Sequence, residues 1–520
     1  MDFIRAVGKE ILAGNSPVLL RGFGLGGWFL PEGYMWKLYR KCDRPRRMEA
    51  MIEKLCGKEF ADAFWKGYLD YYITEREIEF IAKEGFNSVR LPLNARHLYE
   101  IKDDQRLCLL SDTFTRIDQL IEWCRRNHIY VILDMHGAPG GQTGQNIDDS
   151  EVDQPYLFMD RKYEEELIFL WKELAKRYRE EPVVAGYDLL NEPVPNFFNQ
   201  HNHKVLPLYR RLIREIREID TKHMIILEGV HWATDFSIFD PFTKEEAEDN
   251  IMLQFHKYWS NPDAESLQEF IRKAEELNVP LFMGEGGENN CDWYTTVFPL
   301  YEQLSISWSF WNYKKMDCTN SPITFPVPEG WEELIRWLDE GGQLYAERAK
   351  AIFNNFIRCI QKGEVNEPVL KALKREVPVK IPCEAYNAYH IVSRKLPGAE
   401  LRISEPVSII FENGKAGRVN YQRYGGEEQP AEENLMVQLF AGDSVGYLFY
   451  SSERTEIKVQ IHAEGEGELL ITADDDLKTI PVNKKDDYEA VINCMPCKAH
   501  YLWLSCVNGS IRADYINLSN

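Results

Sequence analysis

The stretch Gly186-Tyr187-Asp188-Leu189-Leu190-Asn191-Glu192-Pro193 decides the reading of this chain. It follows an apolar run that lacks two-fold alternation, which is the mark of a strand buried on both faces. It then stops on an amide, a carboxylate and a proline, and proline cannot extend a ladder. The pattern recurs along the first two-thirds of the sequence. Strands are expected at 18–20, 88–91, 131–134, 184–190, 224–228, 252–255, 280–285 and 306–310. Between most of them lie helix patterns. Residues 74–84 open on a Thr N-cap and place Ile78, Ile81 and Ala82 on one face. Residues 114–127, 163–180 and 204–218 read the same way, and a last helix is expected over 343–361. Eight strands alternating with helices point to a parallel sheet, and eight is the number that closes a (β/α)8 TIM barrel.

Beyond the last helix the texture changes. Residues 376–384 (EVPVKIPCE) read as a linker. From 385 onward, short β-rich runs are punctuated by turns such as Asn413-Gly414 and Asn508-Gly509. The expected organisation is a catalytic barrel over 1–375, a linker over 376–384 and a smaller all-β, jelly-roll-like sandwich over 385–520. Sixty-one basic against 83 acidic residues give a net charge of −22. That balance argues against sequence-independent nucleic-acid binding and against docking on anionic lipid. No apolar run reaches the length of a membrane span, about 18 residues. The opening MDFIRAVGKEILAGNSP lacks the sustained apolar region of a signal peptide. Eleven cysteines without a framework suit a reducing compartment. A cytoplasmic location is therefore expected. Cys494-x-x-Cys497 lacks a second pair at zinc-site spacing and reads as ordinary cysteines. Twelve of the thirteen tryptophans precede residue 340, so stacking faces concentrate in the barrel.

The active site of such a barrel gathers at the C-terminal ends of its strands. Those ends supply Arg90, His136, Asn191 with Glu192, His256 with Tyr258, Glu285 and Trp311. A purely structural barrel does not require carboxylates, imidazoles, a phenol and an indole there. Glu192 and Glu285 end the fourth and seventh strands, on opposite sides of the barrel. Glycoside cleavage needs such a pair, one acid to protonate the leaving oxygen and one carboxylate to attack the anomeric carbon or activate water. Arg90 and Tyr258 would hold Glu285 ionised, while Glu192, facing an anion, would keep its proton to higher pH. Glu228 also ends a strand and is a candidate substrate contact. Asp134 and Asp188 read as buried supporting groups. Trp308 and Trp311 point to opposite faces of their strand, and Trp311, nearer the end, is expected in the pocket.

These segments, with Leu20-Arg21-Gly22-Phe23-Gly24-Leu25-Gly26-Gly27-Trp28, resemble glycoside hydrolase family 5, the cellulase and exo-β-glucanase clan. The order is right over about residues 18–315, and the Leu-Gly-Gly-Trp opening looks most like the exo-1,3-β-glucanase and β-glucosidase branches. The resemblance implies a retaining β-glycosidase with Glu192 as acid/base and Glu285 as nucleophile. It implies Arg90, His136, Asn191, His256, Tyr258 and Trp311 as surrounding residues. Glu288, three positions after Glu285, is a rival for the nucleophile. The closing segment 501–516 resembles the last two strands of family 6 or 35 carbohydrate-binding modules. With a single Trp in that region, sugar binding and packing are both open.

Gly22-x-Gly24-x-x-Gly27 follows a strand, as a dinucleotide fingerprint should, but residues 28–33 open no amphipathic helix to receive a phosphate. No His/acid set has metal-ligand spacing. No cofactor and no metal are expected. The expected partner is a β-linked oligosaccharide or glycoside, cleaved from one end by exo action. Oligomeric state is not readable. Two rivals remain, a catalytically silent sugar-binding barrel and a transglycosylase that uses the same covalent intermediate. The segments 140–156 and 314–342 are expected to wall the pocket.

Overall fold

The computed structural model describes residues 1–451, 456–495 and 498–520. Eight strands close a parallel barrel in chain order. They are β1 (Arg21–Gly24), β2 (Ser88–Asn94), β3 (Tyr130–Gly137), β4 (Val184–Asp188), β5 (Met224–Glu228), β6 (Ile251–His256), β7 (Leu281–Gly287) and β8 (Ser307–Trp311). The expected TIM barrel is present. The connecting helices include Glu75–Lys83, Ser111–Arg126, Arg161–Tyr178 and Asn202–Arg217. The first of these is fixed by a reciprocal capping box between Thr74 and Glu77. β1 starts three residues later than the sequence suggests. Val18 donates its N–H to Ile11 and so completes an N-terminal antiparallel sheet of Ile4–Val7, Glu10–Ala13 and Ser16–Pro17.

That small sheet closes one end of the barrel. Ile4 and Ile11 pack with Leu20, Tyr130, Ile132, Ala185, Met224, Ile226, Met252 and Phe282, the residues at or near the strand starts. The N-terminal mouth is thus plugged by apolar side chains, and polar residues at the strand ends are left to the opposite mouth.

The chain divides into two compact units. One comprises Met1–Lys257, Glu269–Gly286 and Ser305–Val365. The other comprises Tyr258–Gln268, Gly287–Leu304 and Asn366–Asn520. The second unit is built on a 22-residue strand, Lys498–Ser519. It pairs antiparallel with Val379–Pro382, Leu435–Phe440, Ser444–Ser451 and Glu456–Ala473. Residues 376–384 are therefore not a linker. Val379 and Ile381 alternate into the core, and the register Val379↔Leu518 adds this segment to the sheet. Arg375, just before it, is buried and donates to the carbonyls of Thr295 (2.6 Å) and Ala385 (2.7 Å). Thr295 lies on the helix Cys291–Gln303, which belongs to this unit. Cys497 lies outside the described residues; ten other cysteines are free. Among the described residues no helix is long and apolar enough to cross a membrane.

Candidate active site

Arg90 organises the C-terminal mouth of the barrel. It stands in the middle of β2, wholly buried, and a buried guanidinium must find an acceptor for nearly every donor. Its Nε donates to Asp188 Oδ2 (2.9 Å). Nη1 donates to Glu285 Oε1 (2.6 Å) and lies 3.1 Å from Asp134 Oδ2. Nη2 donates to Asn191 Oδ1 (2.8 Å) and Glu228 Oε1 (3.0 Å). One cation therefore binds residues from β3, β4, β5 and β7 and from the loop after β4. Burial, and then the charge of Glu228, hold the Asp188 carboxyl well above the usual range; burial also raises Asp134. These shifts trim the negative charge around the single arginine.

Glu192 follows β4 in a left-handed backbone conformation, φ 45°. Its N–H donates to Glu228 Oε2 (2.6 Å), and Asn191 N–H donates to Met135 O on β3 (3.1 Å). The Gln142 amide donates to the carbonyls of His136 (2.7 Å) and Asn191 (2.8 Å), tying the loop after β3 to the loop after β4. His256 Nδ1 lies 2.8 Å from Glu192 Oε1 and 3.6 Å from Glu285 Oε2. The Glu192 and Glu285 carboxylates and the His256 ring each offer an atom within 4.8 Å of the other two. Burial raises the Glu192 pKa, and the charges of Glu285 and Glu228 add to it against the opposing hydrogen bond from His256. Burial works against a charged His256, but Glu228 and Glu285 overcome it and raise its pKa well above the ordinary value. Both shifts favour retention of a proton by the Glu192–His256 pair.

His136 Nδ1 is held 2.8 Å from Asp134, and its ring stacks on Trp311 at 5.2 Å and 7°. Trp311 donates its indole N–H to Tyr34 (3.0 Å). Trp308 packs instead on Phe86 (5.9 Å). The first glycines have a packing reason. A Cβ on Gly24 would stand 2.6 Å from the Trp311 ring, and one on Gly22 only 1.7 Å from Ser88 O. The glycine spacing thus makes room for a tryptophan and a neighbouring strand.

Arg90, His136, Asn191, Glu192, His256, Glu285 and Trp311 converge in one buried cluster. Tyr258 is described in the second unit, where its carbonyl accepts from Asn289 (3.3 Å) and its ring lies 5.5 Å from Trp259. Glu288 also belongs to that unit, its carbonyl accepting from Trp259 Nε1 (2.9 Å), whereas Glu285 is the glutamate paired with Arg90. Glu228, a candidate substrate contact at its strand end, does not reach the open pocket. It is 0% exposed and faces Arg90, Gln254 and the Glu192 backbone, so it supports the site from behind. Gln254, Gln142 and Tyr34 were not singled out in the sequence. Gln254, two before His256 on a strand, shares its face, and that period-two signal was available. A divalent cation among Glu192, His256 and Glu285 would face the Arg90 guanidinium, 2.6 Å from Glu285, across the same carboxylate. In the second unit Asp474, Cys494 and His500 form another group with ligand atoms within 4.8 Å.

The family model for cellulase, glycosyl hydrolase family 5, matches residues 54–317. A β-xylosidase of Phanerodontia chrysosporium is 31% identical over 260 residues, 50% of this chain and 52% of that protein. A glucan 1,3-β-glucosidase of Candida oleophila is 28% identical over 289 residues, 53% of this chain and 64% of that protein. The chain thus spans about half to two-thirds of the length of these two relatives. Among solved structures, an endogalactoceramidase covers 99% of this chain and all of its own at TM-score 0.50 and 15% identity, a likeness of fold.

Proposed function

This chain belongs to glycosyl hydrolase family 5, and from that premise we propose that it hydrolyses β-glycosides with retention of configuration, from one end of the substrate. The observation that carries the reading is the pair Glu192 and Glu285, with carboxylate oxygens within 4.8 Å of each other. Retaining enzymes keep their carboxyl groups about 5–5.5 Å apart, whereas inverting enzymes need about 6.5–9.5 Å to admit a water. The Arg90 guanidinium bonded to Glu285 favours an anionic nucleophile, and the raised pKa of Glu192 favours a proton donor.

In the first step a Glu285 oxygen bonds to the anomeric carbon while the bond to the leaving oxygen breaks, and Glu192 gives that oxygen its proton. In the second, Glu192 takes a proton from water, the hydroxyl bonds to the anomeric carbon, and the Glu285 ester bond breaks. Asn191, clamped by Arg90, and the stacked His136–Trp311 pair are assigned to the sugar. Asp148 accepts from the N–H groups of Gly144 (3.0 Å) and Ser150 (2.9 Å) within the loop at 140–156, to which we assign the role of the wall that restricts action to one end. We assign a reducing, cytoplasmic setting, to which ten free cysteines are suited.

The test is turnover of an aryl β-glycoside by Glu285→Gln. Its rate should fall at least 10³-fold, since the covalent route is lost. A rate within tenfold of the parent would sink the assignment. Proton NMR of the first-formed product should show the β-anomer; an α-anomer would mean inversion.

A further inference from the structure

A hairpin end in the second unit brings a carboxylate, a thiol and an imidazole together. The strand Glu456–Ala473 turns into Asp476–Val482 through Asp474 and Asp475, with Ala473 paired to Asp476. Asp474 takes a left-handed conformation there (φ 48°), which Asp tolerates better than most residues. Asp476 is already committed. It accepts from the Asn493 backbone N–H (2.9 Å) and side-chain amide (3.0 Å) and pairs with Lys478 (3.2 Å). Those bonds dock the end of the strand Asp486–Asn493 against the turn and carry the next residue, Cys494, to it. Met495 N–H then reaches Asp474 Oδ2 at 3.4 Å. His500 arrives from a third segment. Its strand, Lys498–Ser519, pairs His500 with Phe449 and Leu502 with Ala473, and the imidazole lies on the Phe449 ring at 5.3 Å. His500 Nδ1 stands 2.9 Å from Asp474 Oδ2, and Asp474, Cys494 and His500 each offer an atom within 4.8 Å of the other two. His500 is 2% and Cys494 4% exposed, whereas Asp474 faces solvent. No linear spacing announces this group; the register of three strands assembles it.

We propose that Asp474, Cys494 and His500 bind a divalent cation of the zinc class, with water as the fourth ligand on the solvent side. Thiolate, imidazole and carboxylate are the zinc donor set. Calcium and magnesium take oxygen ligands, so a buried sulfur and a buried nitrogen select against them. Zinc at ~2.0–2.3 Å from tetrahedral ligands holds them about 3.3–3.6 Å apart. The 2.9 Å pair and the 4.8 Å limit bracket that range, and the Asp474–His500 contact needs to open by about 0.4 Å. The local charge also favours a cation. Burial, and then the charges of Asp474 and Asp476, push the Cys494 thiol up to about 11. A dication reverses the sign of that field, and the thiol gives its proton to solvent as the sulfur–metal bond forms. The cation clasps a turn, a strand end and a strand start at one place in the sheet. All three ligands belong to the second unit, so the inference does not depend on the glycosidase reading.

The experiment uses the full chain, stripped with a chelator, dialysed and titrated with cobalt(II). A sulfur ligand shows itself by thiolate-to-cobalt charge-transfer absorption, which the oxygen and nitrogen atoms of Glu192, His256 and Glu285 cannot give. The band should saturate at one cobalt per chain, and zinc should displace it with the same stoichiometry. Cys494→Ser should abolish it. Asp474→Asn changes an exposed side chain and keeps an acceptor for His500, so its result does not hinge on folding. It should weaken zinc binding at least about tenfold, since even a supporting group at a metal site is worth roughly 10–100-fold. Zinc should raise the Tm of the parent by more than that of either variant. A parent without the charge-transfer band overturns the proposal. A band that survives in Cys494→Ser overturns it too, because another cysteine would then be the ligand, and so does an unchanged zinc affinity in Asp474→Asn.

Discussion

Replacing Glu228 by glutamine tests the buried support behind the acid. Both oxygens of this carboxylate accept hydrogen bonds. Oε2 takes the Glu192 N–H at 2.6 Å, and Oε1 takes Arg90 Nη2 at 3.0 Å and the Gln254 amide. An amide has one acceptor oxygen. Whichever way the introduced amide turned, its NH2 would face a donor, and at least one charge-assisted bond would be lost. Such a bond is worth about 1.5–3 kcal/mol. If the loss falls on the Glu192 backbone, which needs support in its left-handed conformation, it appears in the transition state as a roughly 10–150-fold lower kcat. Glu228 is 0% exposed, so KM should change by no more than about threefold. The assay is steady-state hydrolysis of an aryl β-glycoside, normalised by titrating active sites with a slow 2-fluoro glycoside so that unfolded protein is not counted. A normal kcat per titrated site, even with a lowered Tm, would refute the reasoning, because Glu228 would then serve stability alone.

The raised pKa of Glu192 predicts an alkaline limb of kcat/KM above the ordinary carboxylate range, since the acid form disappears as pH rises through that pKa. Glu192→Gln should remove the limb, and its activity should survive best on donors with good leaving groups; an unchanged pH–rate profile would count against the assignment. Gly24→Ala places a methyl 2.6 Å from the Trp311 ring and should cost about 1–3 kcal/mol in denaturant unfolding, together with a fall in kcat/KM. Glu49 supplies an acid-stability test. Burial opposes its ionisation, but hydrogen bonds from His97 and Arg96 outweigh this and hold it at about 2, down from 4.5. A lowered carboxyl pKa stabilises fully above the unfolded value and is lost as pH falls through the folded one. Glu49→Gln should therefore flatten the stability loss between about pH 4.5 and 2, as followed by thermal melts.

The strand ends were legible because burial on both faces leaves an uninterrupted apolar run, so the polar residue that stops it stands out. His136, Glu192, His256 and Glu285 were found this way, and Arg90 as the one charge inside such a run. Trp311 was separable from Trp308 by strand parity alone. Glu228 looked alike at the sequence level, but its work depends on a distance to the backbone of another loop, which no local pattern encodes. The segment 376–384 misled because its prolines resemble a tether, while the alternation Val379-x-Ile381 that makes it a strand is only two residues deep. Where the chain leaves the barrel unit at 257/258 and 286/287 was illegible too, because these points lie just past β6 and at the last residue of β7, with no break in composition.

That interlacing has a consequence for synthesis. Residues 258–268 and 287–304 emerge from the ribosome well before the strand Lys498–Ser519 that completes their unit. At about 5–20 residues per second the delay lasts on the order of ten to forty seconds. During it the helix Cys291–Gln303 carries the apolar faces of Trp293, Tyr294, Phe298 and Tyr301, all buried in the finished protein, without the rest of its unit. Exposed apolar surface of this kind favours aggregation late in translation, and a truncation near residue 365 would make that transient exposure permanent.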